Sequence, residues 1–84
     1  MFLAKVYVTL KPTVNDPQGL TIQGGLEVLG FTSVKRVRAG KYMELLLDGE
    51  SLSATQEQVR EMCHKLLANP VIEDYRFDLE EIIS

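Results

Sequence analysis

The 84-residue sequence has no tryptophan, a single histidine and a single cysteine. One cysteine, Cys63, cannot close an intramolecular disulfide and fits a reducing compartment. Its neighbour His64 is no partner for it, since adjacent residues on a helix point about 100° apart, so the two cannot act as nucleophile and base. No Cys/His set has metal-ligand spacing. No apolar run approaches the roughly 20 residues of a membrane span. The N-terminus shows neither a positively charged lead nor a cleavable apolar segment, which makes the cytoplasm the expected location.

Excess positive charge is lacking too. A net charge of −3 argues against a nucleic-acid binder that draws its affinity from phosphate neutralisation. A basic stretch with Tyr42 lacks the aromatic-rich pattern of RNA-binding sheets. Gly19, Gly24 and Gly25 fit neither a dinucleotide fingerprint nor a P-loop, and no Lys-Ser/Thr pair follows them. Glu73-Asp74 and Glu80-Glu81 are neighbours on an extended segment, so their side chains diverge to opposite faces, which is wrong for a shared acid–base task. The expectation is a chain without catalytic residues, metal or bound cofactor of its own.

What is present is an ordinary globular composition, 45% hydrophobic and 25% charged, in one domain over residues 1–84. A chain of this size buries only roughly 60–65% of its unfolded surface, so self-association or a permanent partner is a natural source of further stability. The stretch from Ser33 to Asp48 organises the rest. It is rich in β-formers and interrupted near its midpoint by Gly40-Lys41. Glycine at the first central position of a two-residue loop signals a type II′ turn. The spacing therefore predicts two antiparallel strands over about 34–39 and 42–48; the rival is one long strand bent at Gly40.

The flanks supply one strand and one helix each. Phe2 to Lys11 alternates, with Ala4, Val6, Val8 and Leu10 on one face and Lys5, Tyr7 and Thr9 on the other. Asp16-Pro17 is a helix start, Ile22, Leu26 and Leu29 are its apolar stripe, and Gly30-Phe31 suits a Schellman closure. Glycines inside this helix weaken it by about 1 kcal/mol each, and close approach of another backbone at Gly24-Gly25 is the expected reason for them. Ser53 with Gln56, or Thr55 with Gln58, could open the second helix. Val59, Met62, Cys63, Leu66 and Leu67 form its stripe, and Asn69-Pro70 stops it. A last strand over 71–79 turns Tyr75, Phe77 and Leu79 inward, and Ile82-Ile83 leaves an apolar end. The order is βαββαβ: an α+β, two-layer α/β sandwich with two helices on one face of an antiparallel sheet. The other sheet face, with Lys5, Tyr7, Thr9, Tyr42 and Leu46, is one that something covers.

Charge is unevenly spread. Lys35, Arg36, Arg38 and Lys41 cluster at the centre, while Glu73, Asp74, Asp78, Glu80 and Glu81 cluster near the end. Either the two clusters keep sheet edges soluble, or they are poles of a docking surface. On the second reading Arg36, Arg38, Gly40, Lys41 and Tyr42 are the candidate partner-binding set.

Four blocks carry a resemblance over most of the chain: Val8 to Pro12, Asp16 to Gly19, Val37 to Leu45 and Glu61 to Tyr75, the last containing LLANPVIEDY. In this order and spacing they resemble the PurS family, the small subunit of formylglycinamide ribonucleotide amidotransferase. The resemblance implies a non-catalytic assembly subunit, a dimer or dimer of dimers, bridging a glutaminase subunit and a large synthetase subunit in purine synthesis. It places ATP and magnesium on the large partner. The competing class is a small-ligand-binding regulatory domain of the same βαββαβ type, which the weak glycine helix and Asp16 would frame.

Overall fold

A computed structural model of the chain describes residues 1–83. The elements run β1 (Phe2–Leu10), α1 (Pro17–Val28), β2 (Gly40–Leu47), α2 (Leu52–Met62) and β3 (Glu73–Glu81), with a π-helical turn over Cys63–Leu67 extending α2. The fold is α+β. Its one sheet has the order β2-β1-β3, with both pairings antiparallel.

Alternation in β1 decides the core. Ala4 lies opposite Leu45 and Leu79, and Val6 opposite Met43 and Phe77, so one face of all three strands is apolar. Val59, Cys63 and Ala68 close over Ala4, Val6 and Val8 on that face. α2 lies toward the β3 side, where the Arg60 guanidinium sits 5.9 Å from the Phe77 ring centre.

The expected hairpin at Gly40-Lys41 does not form. Residues 34–39 are in no strand, and the sheet has three strands rather than four. Both flanks of β1 are taken by β2 and β3, so Val34 and Val37 find no free ladder there. Residues 34–39 are tied to the middle of α1 and to its cap instead: the Gln23 side-chain amide donates to the Lys35 carbonyl at 3.3 Å, and the Ala39 amide donates to Asp16 Oδ2 at 2.7 Å. Gly40 does not have the positive φ that the turn needs. It opens β2, where a Cβ would collide with the Val8 carbonyl oxygen.

Both ends of α1 form as their residues dictate. Asp16 caps it through Oδ1, which accepts the Gly19 amide at 3.0 Å, and Pro17 follows. At the other end Gly30 takes φ +96°. The Phe31 amide returns to the Leu26 carbonyl at 2.9 Å and the Gly30 amide to Glu27 at 3.0 Å, which is the Schellman pattern. The middle of α1 is another matter. Gly19 is its one buried residue, and among the described residues no atom comes within 4 Å of where a Cβ on Gly24 or Gly25 would stand, apart from the helix's own neighbouring backbone. The close approach expected at those glycines does not occur among the described residues.

α2 is capped by Ser51, whose hydroxyl accepts the Ala54 amide at 3.2 Å, rather than by Ser53 or Thr55. Thr55 is buried and donates to the Ser51 carbonyl at 2.7 Å. In the π turn the Ala68 amide reaches back five residues to Cys63, at 2.9 Å. The wider turn brings Ala68 into the core, while Leu66, expected on the buried stripe, is 82% exposed. β3 starts at Glu73 rather than Val71, because Asn69 holds the amides of Val71, Ile72 and Glu73 in a turn.

The molecule measures 50 × 29 × 15 Å, with a radius of gyration of 16.4 Å, against about 12 Å for a compact chain of this length. A nine-residue strand spans ~30 Å and a twelve-residue helix ~18 Å, and end to end they account for the long axis. α1 and the return segment 31–39 thus form an arm, inserted between β1 and β2 at one end of the sheet.

Candidate partner-docking surface

Arg38 lies at the arm's root, near the end of the return segment and two residues before β2. Its guanidinium donates to the carbonyls of Leu10 at 3.1 Å, Lys11 at 2.8 Å and Val14 at 3.1 Å. Its Nε stands 3.9 Å from Asp16 Oδ2. Asp16 is only 5% exposed and accepts from Gly19 and Ala39 at once. The Gly19 bond first, then the Ala39 bond, hold its carboxyl below the ordinary value; burial opposes them, and Arg38 adds a smaller downward push. Asp16 and Arg38 therefore form a clamp on the root, and the fork of Arg38 is spent on backbone oxygens of its own chain. Arg36 reaches the same loop more loosely, with Nη2 donating to the Pro12 carbonyl at 3.2 Å, and stays exposed.

β2 separates the remaining candidates. Lys41 stands opposite Val8, on the helix side of the sheet, and its ammonium is 3.9 Å from Glu73 Oε2. Tyr42 stands opposite Tyr7 on the open face. Its hydroxyl donates to Glu44 Oε2 at 2.7 Å, and that bond, ahead of burial, pushes its pKa up to about 12. Gly40 contributes no side chain, only the close passage of β2 past β1. The structure thus gathers Arg36 and Arg38 at the arm's root and sends Lys41 and Tyr42 to opposite faces.

The open face has its own order. Across the three strands Tyr42, Tyr7 and Arg76 make one row. The tyrosine rings lie 5.0 Å apart at 47°, and the Arg76 guanidinium sits 3.9 Å over the Tyr7 ring. Lys5 with Glu80, at 3.7 Å, and Arg76 with Asp78, at 3.6 Å, spread both signs of charge along it. The acidic cluster of β3 therefore meets Lys5 and Arg76 of this face, and Lys41 of the central basic cluster through Glu73. Alternation was enough to put Tyr7 and Arg76 on one face, but their pairing depends on a register that no local signal carries.

On the helix side, an apolar groove of about 500 Å³ runs between β2 and the α2–π segment, lined by Leu45, Met62, Leu66 and Leu67. Cys63 lies in the core beneath, its thiol pKa raised by burial, and His64 faces solvent. Among the described residues, no group of three or more His, Cys, Asp or Glu side chains stands together to hold a metal, and no helix is long and apolar enough to cross a membrane.

Residues 3–81 match the family described as PurS, Phosphoribosylformylglycinamidine (FGAM) synthase. The chain is 49% identical to phosphoribosylformylglycinamidine synthase subunit PurS of Bacillus subtilis, over 100% of this chain and 99% of that one. It superposes with a TM-score of 0.88 on the crystal structure of Methanocaldococcus jannaschii PurS, a subunit of formylglycinamide ribonucleotide amidotransferase in the purine biosynthetic pathway. That pair is 44% identical over 99% of this chain and 100% of the other. A chain in the structure of PurLQS from Thermotoga maritima gives a TM-score of 0.84 at 31% identity, over 95% and 99% of the two chains.

Proposed function

The chain belongs to the PurS family of FGAM synthase subunits, and from that premise we propose that it is the assembly subunit of such a synthase in purine biosynthesis, joining a glutaminase subunit to a large synthetase subunit. The single observation that carries this is the family match along nearly the whole chain, residues 3–81; the likeness to a chain of the PurLQS structure supports it. On this reading the glutaminase supplies ammonia, the large subunit consumes it with ATP and magnesium, and this chain holds the two in place in the cytoplasm without turnover of its own. The free protein is a homo-oligomer, a dimer or dimer of dimers.

Arg36, Lys41 and Tyr42 are exposed and joined to their own chain only by surface contacts, to Pro12, Glu73 and Glu44 among others, and on this reading they meet the partner, whereas Arg38 and Gly40 act by fixing the backbone that carries them. Reconstitution tests the proposal. The glutaminase and the synthetase, mixed with glutamine, should make FGAM only when this chain is added, and this chain alone should make none. Free ammonia should sustain the synthetase without it. Glutamine-dependent synthesis at full rate in its absence would overturn the assembly role. Arg36→Glu with Lys41→Glu should lower the reconstituted rate at least ten-fold and leave the fold intact; an unchanged rate at low salt would remove both residues from docking.

A further inference from the structure

A homo-oligomer gives the exposed apolar residues of α1, Val28 and Leu29 among them, an occupant. The root of the arm carries a second surface, and it is polar. We infer that the crevice between the 12–15 loop and the return segment is a socket for one carboxylate side chain of a larger partner subunit, gripped by the Arg36 guanidinium. This rests on the assembly role proposed above and names the chemistry of one contact within it.

The crevice has a volume of about 410 Å³, and Thr13, Asn15, Leu20, Arg36 and Val37 are among its lining. Its charged side chains are Asp16, Arg36 and Arg38. Asp16 and Arg38 balance each other at 3.9 Å. Both oxygens of Asp16 are also taken, Oδ1 by the Gly19 amide and Oδ2 by that of Ala39, and Arg38 is turned to the carbonyls of Leu10, Lys11 and Val14. Arg36 is left as the uncompensated charge of the lining. Lys41, from the same basic cluster, has a carboxylate of its own chain, Glu73 at 3.9 Å. The ion pairs among the described residues include none to Arg36. A guanidinium has several N–H donors. The Pro12 carbonyl accepts one from Nη2 at 3.2 Å, which tethers the group at the crevice with donors to spare.

A single positive charge selects a monoanion, and the parallel N–H groups of a guanidinium match the two oxygens of a carboxylate. The exposed hydroxyl of Thr13 and amide of Asn15 belong to the same lining and supply further donors. Leu20 and Val37 offer an apolar wall to the methylenes behind a carboxylate. The space is far larger than a carboxylate fills, and an exposed ion pair is too weak to hold a free anion. The carboxylate therefore arrives on a protein that other contacts keep in place, as an aspartate or glutamate side chain of a large subunit.

The test is carbodiimide coupling in the reconstituted complex, using the Arg36→Lys chain. Carbodiimide joins amines to carboxylates and leaves arginine alone, so this variant gains a cross-link at position 36 that wild type cannot form. Peptide mass spectrometry should place that cross-link on an aspartate or glutamate of one large subunit. Arg36→Glu should keep the far-UV circular dichroism of wild type and raise the chain concentration for half-maximal glutamine-dependent synthesis about ten-fold. Changing the identified acid to arginine should bring the Arg36→Glu chain back toward the wild-type concentration. No cross-link at position 36, or one only to acids of this chain or of a second copy, would overturn the socket. So would an Arg36→Glu chain that works at the wild-type concentration. In each of these cases a continued need for wild-type chain keeps the assembly role standing, whereas synthesis that proceeds without any chain overturns the assembly role and the socket with it.

Discussion

The body of the molecule and its arm are built from similar stocks of apolar residues and put them to opposite uses. In the body, Val6 of the sheet and Val59 and Cys63 of the α2–π segment are sealed against one another. In the arm, Leu20, Ile22, Val28, Leu29 and Phe31 are exposed, and only Gly19 is buried. The body is held by apolar packing between strands and helix. The arm is held at its root by polar contacts, those of Asp16 and Arg38, and at its tip by a Schellman cap. Burial is the main favourable term in folding, so the stability of a single chain resides in the body, and the arm's apolar surface remains available to another molecule.

Substitutions should divide along the same line. The largest effect on the single chain is expected in the body: Val59→Ala removes two buried methyl groups at ~0.8 kcal/mol each, plus a cavity term, for about 2–3 kcal/mol. Urea unfolding followed at the sheet would read it, and a loss below 0.5 kcal/mol would mean that the core is not where stability lies. Cys63→Ser should cost roughly 1–3 kcal/mol for a buried hydroxyl without a partner and should leave the reconstituted rate at saturating chain unchanged; a lost rate with an unchanged melt would contradict its place in the core.

Asp16→Ala should be smaller and local, about 1 kcal/mol for the lost cap. It should speed amide exchange at Gly19 and Ala39, whose amides that carboxylate accepts, while β1 exchanges as before. Acid should imitate it. The Asp16 carboxyl is depressed from its ordinary 3.8, so its contribution is complete above that pH and is lost as pH falls through the lower folded value. The root amides should therefore lose protection before the sheet does, and simultaneous loss would join arm and body into one unit. The smallest effect sharpens the comparison most. Gly24→Ala with Gly25→Ala should raise the helicity of the dissociated chain, by up to about 1 kcal/mol at each site, yet weaken association. A gain in both would mean that no second backbone uses the notch.

The same division governs what can be read from the sequence. In the body, period-two alternation from Phe2 to Leu10 and the inward set Tyr75, Phe77 and Leu79 identify two strands and the face they bury, because local pattern and tertiary burial agree there. Val59 and Cys63 are equally plain, but the stripe misplaces Leu66, since a π turn shifts the helix by a residue and nothing local announces it. In the arm the terminal signals at Asp16-Pro17 and Gly30-Phe31 hold, being short-range. The β-formers at 34 and 37 mislead, because strand residues need an unoccupied neighbour and β1 has none to give. Within the docking set, a run of positive charge cannot tell Arg36, which stays exposed, from Arg38, which turns inward to three carbonyls of a loop more than twenty residues away.

The central claim, a self-sufficient body bearing an arm that another copy completes, is tested most directly by amide hydrogen exchange of the wild-type protein at concentrations below and above its association midpoint. The account predicts that β1 amides are protected equally at both concentrations, whereas amides of residues 21–28 in α1 are weakly protected in the dilute protein and gain at least ten-fold on association. Equal protection of α1 and β1 in the dissociated chain would contradict it.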